Sequence, residues 1–133
     1  MSTVVEAART AQMMVASADP LPQIWRHVIL QTIDEYESDY RLHGVESAAA
    51  IFADEPALTG DDRVDAAIAA LAEHLARRDG WRVPDWAVQE RRSTLDWWFV
   101  DDLPALQAFA LRESPLSFRK RGVFIGDGGL HRV

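Results

Sequence analysis

Apolar residues recur along this chain at steps of three and four, the spacing that lines one face of a helix. The clearest case runs from about Asp61 to Arg78, where Val64, Ile68, Leu71 and Leu75 form a single apolar stripe. Asp61 and Asp62 open it, Arg77 and Arg78 close it, and Gly80 follows, so dipole and C-terminal glycine signals agree. A second helix starts near Pro22 and ends at Gly44, with Trp25, Val28, Ile29, Thr32, Ile33, Tyr36 and Tyr40 on one broad face. Its other face carries Asp34, Glu35, Glu37 and Asp39. Thr3-Val-Val-Glu6 reads as a capping box, opening a helix from about Thr3 to Ser17 that stops before Asp19-Pro20. Residues 45–53 form a short helix ahead of the loop 54–60.

Beyond Gly80 the regular spacing gives way to aromatic density: Trp81, Trp86, Trp97 and Trp98. A short helix near 85–91 and an irregular, packed stretch around 95–100 are expected there. Asp102 then caps a helix from about Leu103 to Arg112, with Pro104 in its first turn. Ser114-Pro115 is a second N-cap and N1 pair, opening a short helix to Arg121 that Gly122 ends. Val123-Phe124-Ile125 reads as extended and Asp127-Gly-Gly129 as a turn. These elements predict one all-α domain over residues 1–133, an irregular bundle of five or six helices with a short extended C-terminal tail.

The chain has 133 residues, 48% of them hydrophobic, and no cysteine. That length supports a core without disulfides or metal, and the missing cysteines exclude thiol catalysis and Cys-based zinc or iron–sulfur sites. No apolar run approaches the roughly 18–20 residues of a membrane span. Nor does the start, with Glu6 and no basic segment before an apolar one, resemble a secretory signal. A soluble cytoplasmic protein is expected. The net charge of −7 is uneven. Residues 1–111 hold 9 basic and 19 acidic side chains, −10; residues 112–133 hold 5 and 2, +3. An acidic body disfavours general nucleic-acid binding, which depends on neutralising phosphates.

Catalytic and metal motifs are missing. His27, His43, His74 and His131 are never four apart, and there is no HExxH. Phosphate-binding glycine loops and the GxSxG elbow are also absent. Asp61-Asp62 and Asp101-Asp102 precede predicted helices, so capping explains them better than paired-acid catalysis. The expectation is no enzyme, no cofactor and no metal site.

Three features point to contacts instead. The stretch 34–55 holds seven acids against Arg41 alone: either a solvated face or a patch that docks into a basic cleft. Adjacent Trp97 and Trp98 cannot both point inward on a regular element, which leaves one available as an interface anchor. The run Phe118-Arg119-Lys120-Arg121 is either the second helix of a helix-turn-helix or a basic surface folded against the acidic body. A proline at the start and only eight residues weaken the DNA reading.

The segment WWFVDDLPALQAFALRESPLSFRKRGVFI (97–125), preceded by AALAEHLARRDGWRVPDWA (69–87), resembles the C-terminal part of a group of small actinobacterial helical proteins. That group ends in an ESPxxFRxRGVFI-like motif. The resemblance covers about half the chain; residues 1–60 lie outside it. Such proteins are associated with minimal, toxin-like nucleotidyltransferases, so the resemblance implies the antitoxin-like half of a toxin–antitoxin pair. No helix-turn-helix stands at the N-terminus, which removes the usual basis for operator binding.

The leading expectation is therefore a non-enzymatic protein that binds and neutralises a nucleotidyltransferase-like toxin. Expected contacts are Trp97, Trp98, Phe118, Arg119, Lys120, Arg121 and Phe124, with Asp34, Glu35, Glu37 and Asp39 as a second patch. A DNA-binding transcriptional regulator using the 103–121 helix pair, with operator DNA at Arg119–Arg121, is one alternative. A small ligand-binding or enzymatic helical bundle is the other. No membrane partner is expected, and a homo-oligomer stays open.

Overall fold

The computed structural model describes residues 3–101, 103–126 and 129–130. It is the expected all-α bundle with one small addition, a two-residue parallel strand pair. The helices are α1 (Val4–Ala16), α2 (Leu21–Ile24), α3 (Gln31–His43), α4 (Val45–Ala50), α5 (Asp62–Asp79), α6 (Pro104–Glu113) and α7 (Leu116–Arg119). A 3-10 turn covers Asp85–Val88, and the strands are β1 (Trp98–Phe99) and β2 (Val123–Phe124). Among the described residues no helix is long and apolar enough to cross a membrane.

α5 is the centre. The predicted stripe of Val64, Ile68, Leu71 and Leu75 is buried, but so are Ala66, Ala67, Ala69, Ala70, Ala72 and Ala76. A helix that is apolar all round must be covered all round. Alanine lets neighbours approach closely, and α1, α7, β2 and the 3-10 turn all pack on this helix. Its ends follow the sequence signals: the Asp61 carboxylate accepts from the Arg63 amide at 2.8 Å, and Gly80 is left-handed at φ 80°.

The second predicted helix is continuous from residue 21 to 43 but not uniform. Between α2 and α3, Trp25–Leu30 is π-helical. The wider turn carries Leu30 inward beside Trp25, Val28 and Ile29, which a regular 3.6-residue repeat would not do. Tyr40, expected on the apolar face, is 39% exposed.

Several local expectations are corrected. Thr3 is the N-cap of α1 but makes no side-chain cap bond; the Val4 amide donates instead to the Ile51 carbonyl at 2.9 Å. Leu103 is the N-cap of α6, and its amide donates to the Asp101 carboxylate at 3.1 Å. Ser114 is the C-cap of α6 rather than the N-cap of α7, a place taken by Pro115. Its hydroxyl lies against the Ala110 and Ile125 carbonyls and accepts from the Ile125 amide at 2.8 Å, which ties α6 to the chain after β2. α7 stops at Arg119, one turn long, and the helix expected over 85–91 is a single 3-10 turn. The stretch around 95–100 is not packed throughout, since Leu95 and Trp97 are exposed. Asp102, Asp127, Gly128 and His131, named in the expected caps, turn and histidine set, lie outside the described residues.

Candidate partner-binding surface

The C-terminal third is assembled on β1 and β2. Trp98 pairs with Val123 and Phe99 with Phe124 in parallel register, and the Trp98 amide donates to the Gly122 carbonyl at 2.9 Å. Strand alternation then separates the neighbouring tryptophans. Trp98 points inward and meets Trp25 edge-on, with ring centroids 5.5 Å apart. Trp97 is 62% exposed and leans on Phe124 at 5.0 Å. Phe124 itself is buried, with Phe99 stacked on it at 5.0 Å.

α6 lies beside β2 with little of its surface covered. Ala110 is its one fully buried residue. Leu106, Phe109 and Leu111 are exposed, as are Leu103 before it and Leu116 after it. Together with Leu95 and Trp97, these seven make up more than half of the twelve exposed large hydrophobic side chains among the described residues. Single exposed apolar residues need no explanation, but their concentration within 22 residues makes this stretch the candidate contact surface.

The basic run behaves differently from the expected contact surface. Arg121 is buried, and its guanidinium donates to Glu73 of α5 at 2.6 Å, to the Ser117 carbonyl at 2.7 Å and to the Ala87 carbonyl at 2.7 Å. Lys120, half exposed, reaches Glu73 at 2.7 Å, and Arg77 reaches it at 2.8 Å. Burial alone would raise the Glu73 carboxyl; the bonds from Lys120, Arg121 and Arg77 outweigh it and hold the pKa at about 2. Phe118 is also internal, 6.1 Å from Trp25 and 5.9 Å from the His74 ring. Arg119 remains exposed. Trp98, Phe118, Arg121 and Phe124 therefore serve the core rather than the surface. The second helix of the expected DNA-reading pair is one turn whose Ser117 and Phe118 are buried.

The acidic patch is also divided. Asp39 is buried, accepting from Ser47 at 2.8 Å and sitting 2.8 Å from the His43 ring, so it joins α3 to α4. The Ser47 hydroxyl is the main cause that holds the Asp39 carboxyl below the ordinary range. Glu37 pairs with Arg78 at 2.7 Å, and Glu35 accepts from Gln31 at 3.4 Å. Asp34, exposed, lines a cleft of about 330 Å³ with Glu37, His74 and Arg78. Burial holds the His74 ring below its usual pKa. Nearby, the Tyr36 hydroxyl donates to Asp79 at 2.6 Å and accepts from Trp81 at 2.8 Å, tying α3 to the end of α5.

Of the expected contact residues, Trp97, Arg119 and Lys120 stand on the surface of the C-terminal third, Lys120 with its ammonium paired to Glu73. Leu95, Leu103, Leu106, Phe109, Leu111 and Leu116 were missed. Their signal was available: 103–111 has Gln107 as its sole strongly polar residue, so a helix there has no polar face to turn outward. No group of three or more His, Asp or Glu suited to a metal ion occurs among the described residues. No protein-family model, curated protein or solved structure matches the chain.

Proposed function

We propose that this chain is a non-enzymatic interaction protein that grips a protein partner through Trp97 and the exposed apolar side of α6. The concentration of uncovered Leu, Phe and Trp side chains between residues 95 and 116 carries this reading. Trp is enriched among the residues that carry binding energy at interfaces, and surrounding contacts act mainly by excluding water, so Trp97 is the anchor and the leucines its surround. A net charge of −7 opposes pairing of two copies, which favours a different partner over self-association. The resemblance of residues 69–125 names the partner class: a nucleotidyltransferase-like toxin, which this protein neutralises in the manner of an antitoxin.

The test is growth rescue. A host arrested by a nucleotidyltransferase encoded beside this chain should resume growth when the chain is co-expressed. Trp97→Ser combined with Phe109→Ser should abolish rescue while leaving the melting temperature within a few degrees, because both side chains are largely exposed. Full rescue by the double variant would remove this surface from the function; no rescue by the natural chain would remove the antitoxin reading.

A further inference from the structure

The cleft between α3 and α5 belongs to neither the core nor the apolar surface of α6. Its volume of about 330 Å³ is more than twice the roughly 150 Å³ that takes up a benzene ring. Ile33, Leu75 and Leu130 give it an apolar side, and Asp34, Glu37, His74 and Arg78 give it a polar one. Apolar walls with a few convergent polar groups are the make-up of small-molecule sites.

His74 is the unusual member. Its half-buried ring packs edge-on against Phe118 at 5.9 Å. Neither ring nitrogen has a hydrogen-bond partner among the described residues, and neither is sealed from solvent. Burial, reinforced by the charge of Arg78 and opposed by that of Asp79, keeps the ring below its usual pKa. At neutral pH the imidazole is uncharged and carries an unused acceptor at the cleft wall.

The charges around it are unbalanced. Arg78 is held by Glu37 at 2.7 Å and by Asp79 at 2.8 Å, so one cation serves two carboxylates, and Asp34 adds a third. The cleft is net negative in a chain of net charge −7, a setting that draws in cations. Since no three His, Asp or Glu among the described residues are arranged for a metal ion, the fitting cation is a larger, organic one.

We propose that this cleft binds a small organic cation, a primary ammonium carried on an apolar body. The three N–H donors of an ammonium suit an uncharged imidazole and carboxylates together. His74 accepts one, Asp34 and Glu37 balance the charge, and the body lies against Ile33, Leu75 and Leu130. An anion would meet the surplus of carboxylates instead. The site shares no residue with the apolar side of α6, so it stands whether or not that surface holds a toxin.

The experiment titrates the folded protein near neutral pH with phenethylamine at constant ionic strength. Amide resonances of 33–37 and 74–78 and the His74 ring signals report on the cleft. Saturable shifts confined to those residues are expected, with a Kd in the millimolar range or tighter. Phenethyl alcohol, with the same body and no charge, should bind at least about tenfold more weakly. Nα-acetyl-lysine methylamide, a mimic of a lysine on a partner protein, should also bind more weakly because it brings no ring to the apolar wall. Asp34→Asn changes an exposed side chain and should weaken binding about threefold or more. His74→Phe keeps a ring against Phe118, removes the acceptor and should weaken binding about tenfold. If that variant fails to fold, Asp34→Asn and the alcohol still decide. No saturable shift with phenethylamine would overturn the proposal. So would equal binding of the alcohol, tighter binding of the lysine amide, or undiminished binding in Asp34→Asn or in folded His74→Phe.

Discussion

Glu73→Gln should lower the melting temperature at pH 7 by on the order of 10–20 °C, an effect of about 3–5 kcal/mol for breaking a buried ion pair. The substitution keeps the volume and removes the charge that neutralises Arg121, a side chain sealed between α5, α7 and the 3-10 turn. The effect should depend on pH in a definite direction. The Glu73 pKa falls from 4.5 in the free side chain to about 2 in the fold. Such a carboxylate stabilises the fold fully above about pH 4.5, and its contribution is lost as the pH drops toward 2. The depression corresponds to about 3 kcal/mol at neutral pH. Thermal melts of the natural chain and Glu73→Gln should therefore converge between pH 5 and 2.5. A gap that stays constant across that range would mean the buried cluster does not depend on the Glu73 charge.

Gly122→Ala is the second large loss, about 2–5 kcal/mol from two causes that add. The residue sits at φ 85°, in the region that side chains with a Cβ avoid. A Cβ there would also press into the Thr94 carbonyl oxygen and stand 3.1 Å from Thr94 Cγ2. Relief requires moving Gly122 away from the loop, and the Gly122 carbonyl is the acceptor that holds the Trp98 amide. Strand pairing and the seat of Trp97 should loosen together. Gly80→Ala separates the two causes, since Gly80 has φ 80° but nothing within 4 Å of the added carbon. It should cost only about 1 kcal/mol. Equal losses in urea melts of the two variants would show that the contact with Thr94 is not a constraint.

What could be read from the sequence was whatever depends on near neighbours. Asp61, the stripe from Val64 to Leu75 and Gly80 mark α5 to within a residue, because caps and helical faces are local chemistry. The π-helical turn was not legible: one residue slipped within a continuous apolar run leaves the spacing at three and four on either side. Strand pairing of 98–99 with 123–124 joins residues 25 apart in a chain otherwise dominated by helix signals. The basic run was open to two readings, a contact surface or a basic surface folded against the acidic body, and Lys120 and Arg121 take the second. Charge alone does not separate Phe118 and Arg121, which lie inside, from Arg119 and Lys120, which do not; the place of Arg121 depends on Glu73, 48 residues before it. A signal existed on the other side: Glu73 interrupts an alanine-rich helix at a position that must be covered. A carboxylate there needs a cation from elsewhere in the chain. For the candidate surface, the alternation of Trp97 and Trp98 was legible and the bare outer side of α6 was not drawn out.

The most direct test of the interaction reading is a quantitative co-purification from the native host. The tagged natural chain and the Trp97→Ser, Phe109→Ser double variant would be compared, with bound proteins identified and counted by mass spectrometry. The result expected is a near-stoichiometric nucleotidyltransferase-like protein on the natural chain and at least a tenfold loss on the variant, about 1.4 kcal/mol or more of binding energy. Recovery of the chain alone as a homo-oligomer, or an undiminished partner on the variant, would contradict it.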